Sequence, residues 1–595
     1  MNTKVKNLYS GKPDARDELS TPNSPFFKSF IIPPNFELED ILEGDKCFIR
    51  GYKGSGKTAL LLYINDYIHQ KDENAVSSFM YFKEYTNIDR NHMDIVTSKY
   101  RNQTEENVVF DKKTLLKEQS FIYIWRWLLY SRIVEDNIAN NCSLFEKNQT
   151  WNSFVKKINK ITYDKIGDKA QKFPSKLRIQ FGYADYTLAS DVSFSSKKNV
   201  EAYEAFISII DDASSDFVQL KKTDIPYYIF LDELEAYYSD EVLFKRDLTM
   251  LRDLIFVVKE INNIFLSWSN FKAKIICSIR TEVINSINKF IPAKELNKVT
   301  SGYEKVLSWN YHNTTAYQHP IFQILLKRIE LAELQNGNTF ASQEELFKKW
   351  FPETINDQDA VELIINMTWN KPRDIVRLII AAQNSTSSTA ECFNKELLQS
   401  LTEEYSSESL KELKEELNIL YTPEEMECII SMFRGYNAIF SLPQIQKRIE
   451  TDYSDTIWST KYKQILTDLY RIGFLGNLEK ESGTYAWQHR GNDGPVFNSE
   501  WKFVIHRALR KTLLVSSKQD KRKSLKPQII PGETVLAKIV RIYKGLLIVT
   551  FDKNNWHFSG TIFNPNNYCY TEEQELECTV QYFDEEHEKW VLKIN

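Results

Sequence analysis

The sequence predicts a multidomain α/β chain: a parallel-sheet core, a helical lid, a second helical unit ending in a hairpin, and a small C-terminal β-barrel. Three observations predict it. Between residues 47 and 280, short apolar runs alternate with stretches of helical periodicity, the pattern of a parallel sheet flanked by helices. From about 320 to 400 the periodicity is helical throughout. After Pro531 the runs TVLAKIVRIYKGLLIVTFD, FSGTIF, LECTVQYFD and WVLKI are short β patterns broken by Gly, Asn and Asp.

Taken in order, residues 1–25 are polar and rich in turn formers and read as a flexible lead-in. KCFIRG is a buried strand ending in Gly51, and TALLLYINDYIHQ is the helix that follows it. MYFKEY, YYIFLDE and AKIICSIR are further strands. Residues 100–220 are mostly helical, interrupted by LRIQFGYADYTLASDVSFSS, which reads as a hairpin. Thr422 and Pro423 form a helix start, with the cap before the proline. Helices near 423–433, 443–450 and 460–472 then lead into a two-stranded hairpin, FLGN to YAWQHR. The chain therefore divides into a lead-in (1–25), a core (26–315) with a large insertion, a helical lid (316–405), a helix-and-wing unit (406–512), a basic linker (513–528) and a barrel (529–595). At 595 residues the length fits this count, given about 150 residues per domain.

Composition excludes several classes. Lys and Arg total 76 against 81 Asp and Glu, so any nucleic-acid surface is local. Hydrophobic residues make up 42%, enough for several cores, and with 18 Gly and 17 Pro the chain is neither fibrous nor largely disordered. The longest apolar stretch, Ile122 to Tyr130, is short and contains Arg126, so no membrane span is expected. No secretory signal is visible, and the seven cysteines are scattered, which predicts reduced thiols in a cytoplasmic protein without a zinc site.

The segment Gly51-Tyr52-Lys53-Gly54-Ser55-Gly56-Lys57-Thr58 matches G-x-x-x-x-G-K-[ST] between a strand and a helix. Its glycines let successive N–H groups turn toward a phosphate, helped by the helix dipole. Lys57 can reach β and γ oxygens, and the Thr58 hydroxyl can ligate Mg²⁺. The metal also needs a carboxylate at a neighbouring strand end. Asp232 after YYIFL supplies it, and Glu233, or Glu235 if the turn differs, can polarise the attacking water. The rival pair Asp211-Asp212 lies on a helical pattern. Ser278 or Arg280, ending AKIICSIR, can contact the γ-phosphate or the water. In NKPRDIVRLI, Pro372 and Asp374 open a helix and leave Arg373 placed to bridge to phosphates.

Together these residues resemble the AAA+-like ATPases, closest to the initiator-type and STAND branches of the P-loop ATPases. GYKGSGKT looks like their Walker A and YYIFLDE like their Walker B, with Ser278 at the sensor-1 position and Arg373 on a sensor-2 helix. The resemblance covers about residues 25–515 and implies an ATPase core, a lid and a winged helix, with ATP and Mg²⁺ as ligands. Two departures stand out: Lys57 and Asp232 are 175 residues apart, and no trans arginine finger can be placed, although Arg280 is a candidate.

The second half reads as a recognition module. In a winged helix the third helix enters a major groove. Here it carries Lys461, Lys463 and Arg471, with His489 and Arg490 in the wing. The linker from Arg507 to Lys526 holds eight basic residues against Asp520, a stripe suited to a phosphate backbone. The tail resembles an S1-like OB-fold, whose aromatics would stack single-stranded bases, with Tyr543, Trp556 and Phe563 as platforms. Its six basic and ten acidic residues, and Leu547 where an aromatic is common, favour a protein partner or a structural role as the rival. The expectation is a Mg²⁺-dependent ATP-binding switch or ATPase that couples nucleotide state to DNA, RNA or a protein effector, possible in a prokaryotic sensor or defence setting. The alternatives are an initiator or loader on duplex DNA and a scaffold that binds ATP without hydrolysis.

Overall fold

The computed structural model describes residues 2–19, 24–81, 121–163, 176–181, 184–189, 197–234, 241–268, 272–290, 296–311, 316–355, 357–418, 420–492, 494–515, 529, 531–543, 545–553, 556–564, 568–584 and 589–595. The chain forms two compact units, 1–434 with 440–514, and 435–439 with 515–595.

The larger unit is built on a five-stranded parallel sheet. Its strands are β1 (Phe48–Gly51), β2 (Val76–Tyr81), β6 (Tyr227–Leu234), β7 (Ala273–Arg280) and β8 (Glu304–Val306), in the order β2-β6-β7-β1-β8. The numbers β3, β4 and β5 belong to an antiparallel trio inserted between β2 and β6: Ile161–Tyr163, Lys176–Phe181 and Ala184–Ala189. Central strands read as continuous apolar runs because helices cover both faces. Tyr227, Ile229 and Leu231 pack on one face, against helices α2 (Ile122–Ala139), α3 (Lys197–Val218) and α4 (Glu241–Ser267). Tyr228 and Phe230 pack on the other, against α1 (Lys57–Lys71). Asp211 and Asp212 lie within α3, away from any strand end.

A parallel sheet presents its loops along the carboxyl edge, where ligands bind in α/β folds. Here that edge carries the loop after β1, Asp232 and Glu233 near the end of β6, and Ser278 and Arg280 at the end of β7.

A helical layer follows, including α5 (Pro320–Gln335), α6 (Pro372–Asn384) and α7 (Lys395–Leu417). Pro320 and Pro372 occupy first-turn positions, where the missing N–H costs nothing. The Asp374 carboxylate accepts from the Trp369 and Lys371 backbone N–H groups and so fixes the start of α6. One turn on, Arg377 bonds Asp374 at 2.5 Å and also pairs with Glu412 of α7. Arg373 reaches the same Glu412 at 3.1 Å.

The lead-in is a correction to the sequence reading. Residues 2–19 are packed rather than flexible, with Val5 and Leu8 buried. The backbone N–H groups of Val5 and Lys6 donate to the carbonyls of Ala390 and Ser388, both at 2.9 Å. The Thr3 hydroxyl donates to Glu333 on α5, 330 residues further along the chain. Local composition identifies turn formers, but it does not register partners that distant.

Helices α8 (Pro423–Ser431), α9 (Leu442–Asp452) and α10 (Ile457–Arg471) precede three antiparallel strands, Leu475–Glu479, Tyr485–Ala486 and Trp501–Ile505. The third strand was not expected from the hairpin pattern. The Trp369 indole donates to the Gly473 carbonyl at 2.8 Å and stacks on His506 at 4.0 Å, joining this block to the helical layer.

The smaller unit is a closed five-stranded barrel of Thr534–Tyr543, Leu546–Lys553, Trp556–Phe563, Glu575–Asp584 and Lys589–Ile594. The third and fifth strands run parallel, and the first pairs with the fourth to close it. Leu547 faces the core. Tyr543, Leu546 and Phe563 share one cross-strand rung, with Tyr543 50% and Phe563 65% exposed. The Trp556 side chain and linker residues 516–528 lie outside the described residues. Among the described residues, no helix is long and apolar enough to cross a membrane.

Glu412 yields a stability prediction. Burial opposes its ionisation, but the cations of Arg377, Arg373, Lys371 and Lys53 outweigh that and hold its carboxyl down at about 2. A carboxyl depressed on folding stabilises above its ordinary value of 4.5, and that stability is lost as pH falls toward 2. Glu412→Gln is expected to lower unfolding free energy at pH 7 by about 3 kcal/mol, with the deficit shrinking as pH falls from 4.5 to 2. Urea unfolding of both proteins followed by tryptophan fluorescence checks this.

Candidate functional site

The loop after β1 turns through Tyr52–Gly56 before α1 begins at Lys57. Gly54 and Gly56 have φ of 78° and 89°, a left-handed conformation that favours glycine. A Cβ on Gly54 would lie 3.4 Å from the Lys371 side chain, and one on Gly56 3.6 Å from Pro372. The start of α6 therefore covers the loop, and the Arg373 N–H points at the Gly54 carbonyl at 3.5 Å. From the other flank, the Trp309 indole donates to the Ser55 carbonyl at 2.9 Å.

Lys57 is buried inside this turn, and its ammonium donates to the Gly51 and Tyr52 carbonyls, each at 3.0 Å. Burial lowers its pKa to about 8, assisted by the nearby cations of Arg280 and Arg373 and opposed by Glu282 and Asp232. Those four side chains converge on one ammonium although they come from three separate stretches of chain. Thr58 is half-buried on the first turn of α1.

Asp232 is buried on β6, and one of its oxygens accepts from the Ser278 hydroxyl. Its other oxygen, Oδ2, is buried without a hydrogen-bond partner among the described residues. A bare carboxylate oxygen is costly to bury, which calls for a cation or water in its place. A carboxylate and a threonine hydroxyl are hard oxygen donors, the set that suits Mg²⁺ when the remaining ligands are phosphates and water. These residues fit the metal.

Glu233 adopts a left-handed φ of 61°, at a bulge in the β6–β7 pairing between Leu231 and Leu234. Such conformations cost energy and persist where the surroundings impose them. Its carboxylate is bonded by the guanidinium of Arg16, at 2.6 Å. Arg16 in turn lies over the Tyr81 ring, 4.5 Å from its centre, and Tyr81 pairs with Asp232 in the β2–β6 register. Glu235 lies outside the described residues.

Arg280 sits opposite Gly51 in the β1–β7 register, at the mouth of the loop. Ser278 is bonded to the acid rather than turned toward the loop, and Arg373 is engaged by Glu412. Lys53 is held by two acids: its N–H donates to Glu282 at 3.0 Å, and its ammonium pairs with Glu415 at 2.8 Å. A cavity of about 640 Å³ runs alongside, walled by Tyr52, Glu282, Trp309, Trp369, Lys371 and His489.

The wing residues differ from expectation. Arg490 donates to Asn366 at 2.6 Å and His489 lines the cavity, so both face the interior of the unit. Neighbouring Gln488 bonds the Tyr52 hydroxyl at 3.2 Å. His506 links the wing to the helical layer, stacking on Trp369 and meeting the rings of Trp487 and His489. Lys461 and Lys463 are exposed, and exposed Arg471 pairs with Asp468 at 3.3 Å. Sequence reasoning missed Glu282, although it stands two residues after Arg280. It also missed Arg16, for which the local sequence carries no signal.

Comparison with known proteins adds three likenesses. Residues 320–414 match the family described as the FunZ-associated C-terminal helical domain, a stretch that corresponds to α5 through most of α7. The chain is similar to the "Putative transposon gamma-delta 80.3 kDa protein" of Escherichia coli strain K12, at 22% identity over 308 residues, 48% of this chain and 40% of that one. The chain thus spans less than half the length of this curated relative. Among solved structures, it is similar to the crystal structure of Cdc6p from Pyrobaculum aerophilum, at 11% identity and a TM-score of 0.26, over 85% of this chain and 99% of that one.

Proposed function

We propose that this chain is a Mg²⁺-dependent ATPase of the AAA+-like, STAND-related kind, in which residues 316–405 act as a lid that couples nucleotide state to a recognition module. The observation that carries the reading is that buried Lys57 and buried Asp232, whose Oδ2 is bare, both stand at the carboxyl edge of the sheet. A phosphate loop alone would fit binding; the buried acid beside it fits metal-assisted phosphoryl transfer.

In this reading the loop amides and Lys57 hold the β- and γ-phosphates, and Thr58 and Asp232 hold Mg²⁺. The ion would supply neutralisation of phosphate charge. Ser278 keeps Asp232 oriented through its hydroxyl bond. Glu233 orients and polarises the attacking water, and Arg280 offers positive charge where negative charge develops on the γ-phosphate. Arg373 exchanges Glu412 for a phosphate oxygen and so ties lid position to the nucleotide. The cavity beside the loop has room for the nucleoside, with Trp309 and Trp369 as apolar walls.

For recognition, the barrel's rung of Tyr543, Leu546 and Phe563 offers exposed rings for stacking single-stranded bases, in an S1-like OB-fold. A duplex-DNA initiator or loader is the second reading, favoured by exposed Lys461 and Lys463 on the third helix of a winged helix. The inward placement of His489 and Arg490 weighs against it.

Lys57→Ala is expected to weaken ATP binding by about a hundredfold or more, and Glu233→Gln to keep binding while turnover falls about a hundredfold. Calorimetric titration and a phosphate-release assay check both; a parent protein that binds ATP without turnover contradicts catalysis and favours the scaffold. The lowered pKa of Lys57 adds a pH signature. Its charged form is lost above about pH 8 in the free protein, so ATP affinity should fall by up to about tenfold per pH unit above that point. The weak residual binding of Lys57→Met should lack this dependence.

A further inference from the structure

We propose that residues 2–19 form an inhibitory arm, anchored on the helical layer, that keeps Glu233 out of the hydrolytic reaction until that layer moves. The inference rests on the ATPase reading above. Three separate contacts anchor the arm. Thr3 donates to Glu333 on α5 at 2.9 Å. The Val5 and Lys6 backbones bond to residues 390 and 388, and Val5 is buried there. Arg328 of α5 donates to the Ser10 carbonyl.

From this footing the arm crosses to the core and delivers one side chain to the site. Arg16 lies over Tyr81, beside the strand that carries the acids, and bonds Glu233 at 2.6 Å. A carboxylate oxygen bonded to a guanidinium is occupied and does not accept from a water. Arg16 therefore opposes the role that Glu233 would play. Because the contact joins two stretches 217 residues apart, it depends on where the arm is held.

The footing makes the contact conditional. The helical layer that carries the arm also carries Lys371, Pro372 and Arg373, which cover the loop. A triphosphate that draws Arg373 from Glu412 shifts this layer against the core and pulls on both ends of the arm. By reciprocity, releasing the arm lowers the cost of that shift.

The test uses the full chain with Arg16→Ala, and Val5→Asp as an independent way to loosen the footing. Phosphate release is expected to show kcat rising about tenfold in both, a part of the roughly hundredfold or more that a general base contributes. ATP affinity, measured by titration in a Glu233→Gln background, should change less than twofold. Hydrogen exchange without nucleotide should show amides of residues 12–19 exchanging faster in Glu233→Gln than in the parent. A kcat that is unchanged, lower or undetectable in Arg16→Ala overturns the proposal, as does unaltered exchange in Glu233→Gln. If ATP binds to none of the proteins, the ATPase reading fails instead, and the exchange result alone decides whether Glu233 holds the arm.

Discussion

A buried ammonium organises the larger unit. Lys57 lies within a loop that offers it two carbonyl oxygens, while Arg280 and Arg373 push against its charge. An isolated buried cation is expensive, and proteins compensate with acids or ligands nearby. Asp232 and Glu282 supply part of that compensation, and their positions follow from it. Asp232 needs β6 to end beside β7, where Ser278 can satisfy one oxygen. Glu282 needs the helix after β7 to begin beside the loop, where the Lys53 N–H can satisfy it. The parallel sheet places all of these on one edge, so the fold and the charge balance depend on each other.

The second layer of charge lies in the helices above. Lys371, Arg373 and Arg377 face Asp374, Glu412 and Glu416, with ion pairs at 3.3 Å for Lys371–Glu416 and 3.1 Å for Arg373–Glu412. Buried pairs of this kind add little net stability but strongly penalise misplacement, because removing one partner strands the other. They register α6 over the loop at residues 51–58. Wing residues Gln488, His489 and Arg490 meet the same region from a third direction.

Much of this was legible in the sequence where the signal is local. The loop Gly51–Thr58 is constrained by backbone geometry, and glycines at 54 and 56 are needed for left-handed turns. The strands around Asp232 and Ser278 read as apolar runs because both sheet faces are covered. The C-terminal strands read as short β runs, and in the closed barrel that they form, Ile539, Val549 and Val580 turn inward. What was not legible depends on distant pairing. The lead-in has two buried apolar residues in a polar stretch, and its order comes from Glu333 and the 388–390 backbone. Arg16 has no local feature that ties it to Glu233. His489 and Arg490 carry charge patterns suited to an exposed wing, but they meet His506 and Asn366 inside the unit.

Metal dependence separates the roles of the two central residues. ATP affinity measured with Mg²⁺ and with a chelator, in the parent and in Asp232→Asn, isolates what the bare Oδ2 contributes. If Asp232 holds the ion, Mg²⁺ tightens ATP binding to the parent by about tenfold or more and leaves Asp232→Asn nearly unaffected, since an amide is a weaker ligand for a hard cation. An equal gain in both proteins would mean that Asp232 is not the magnesium ligand, and the arrangement around Lys57 would then need another explanation.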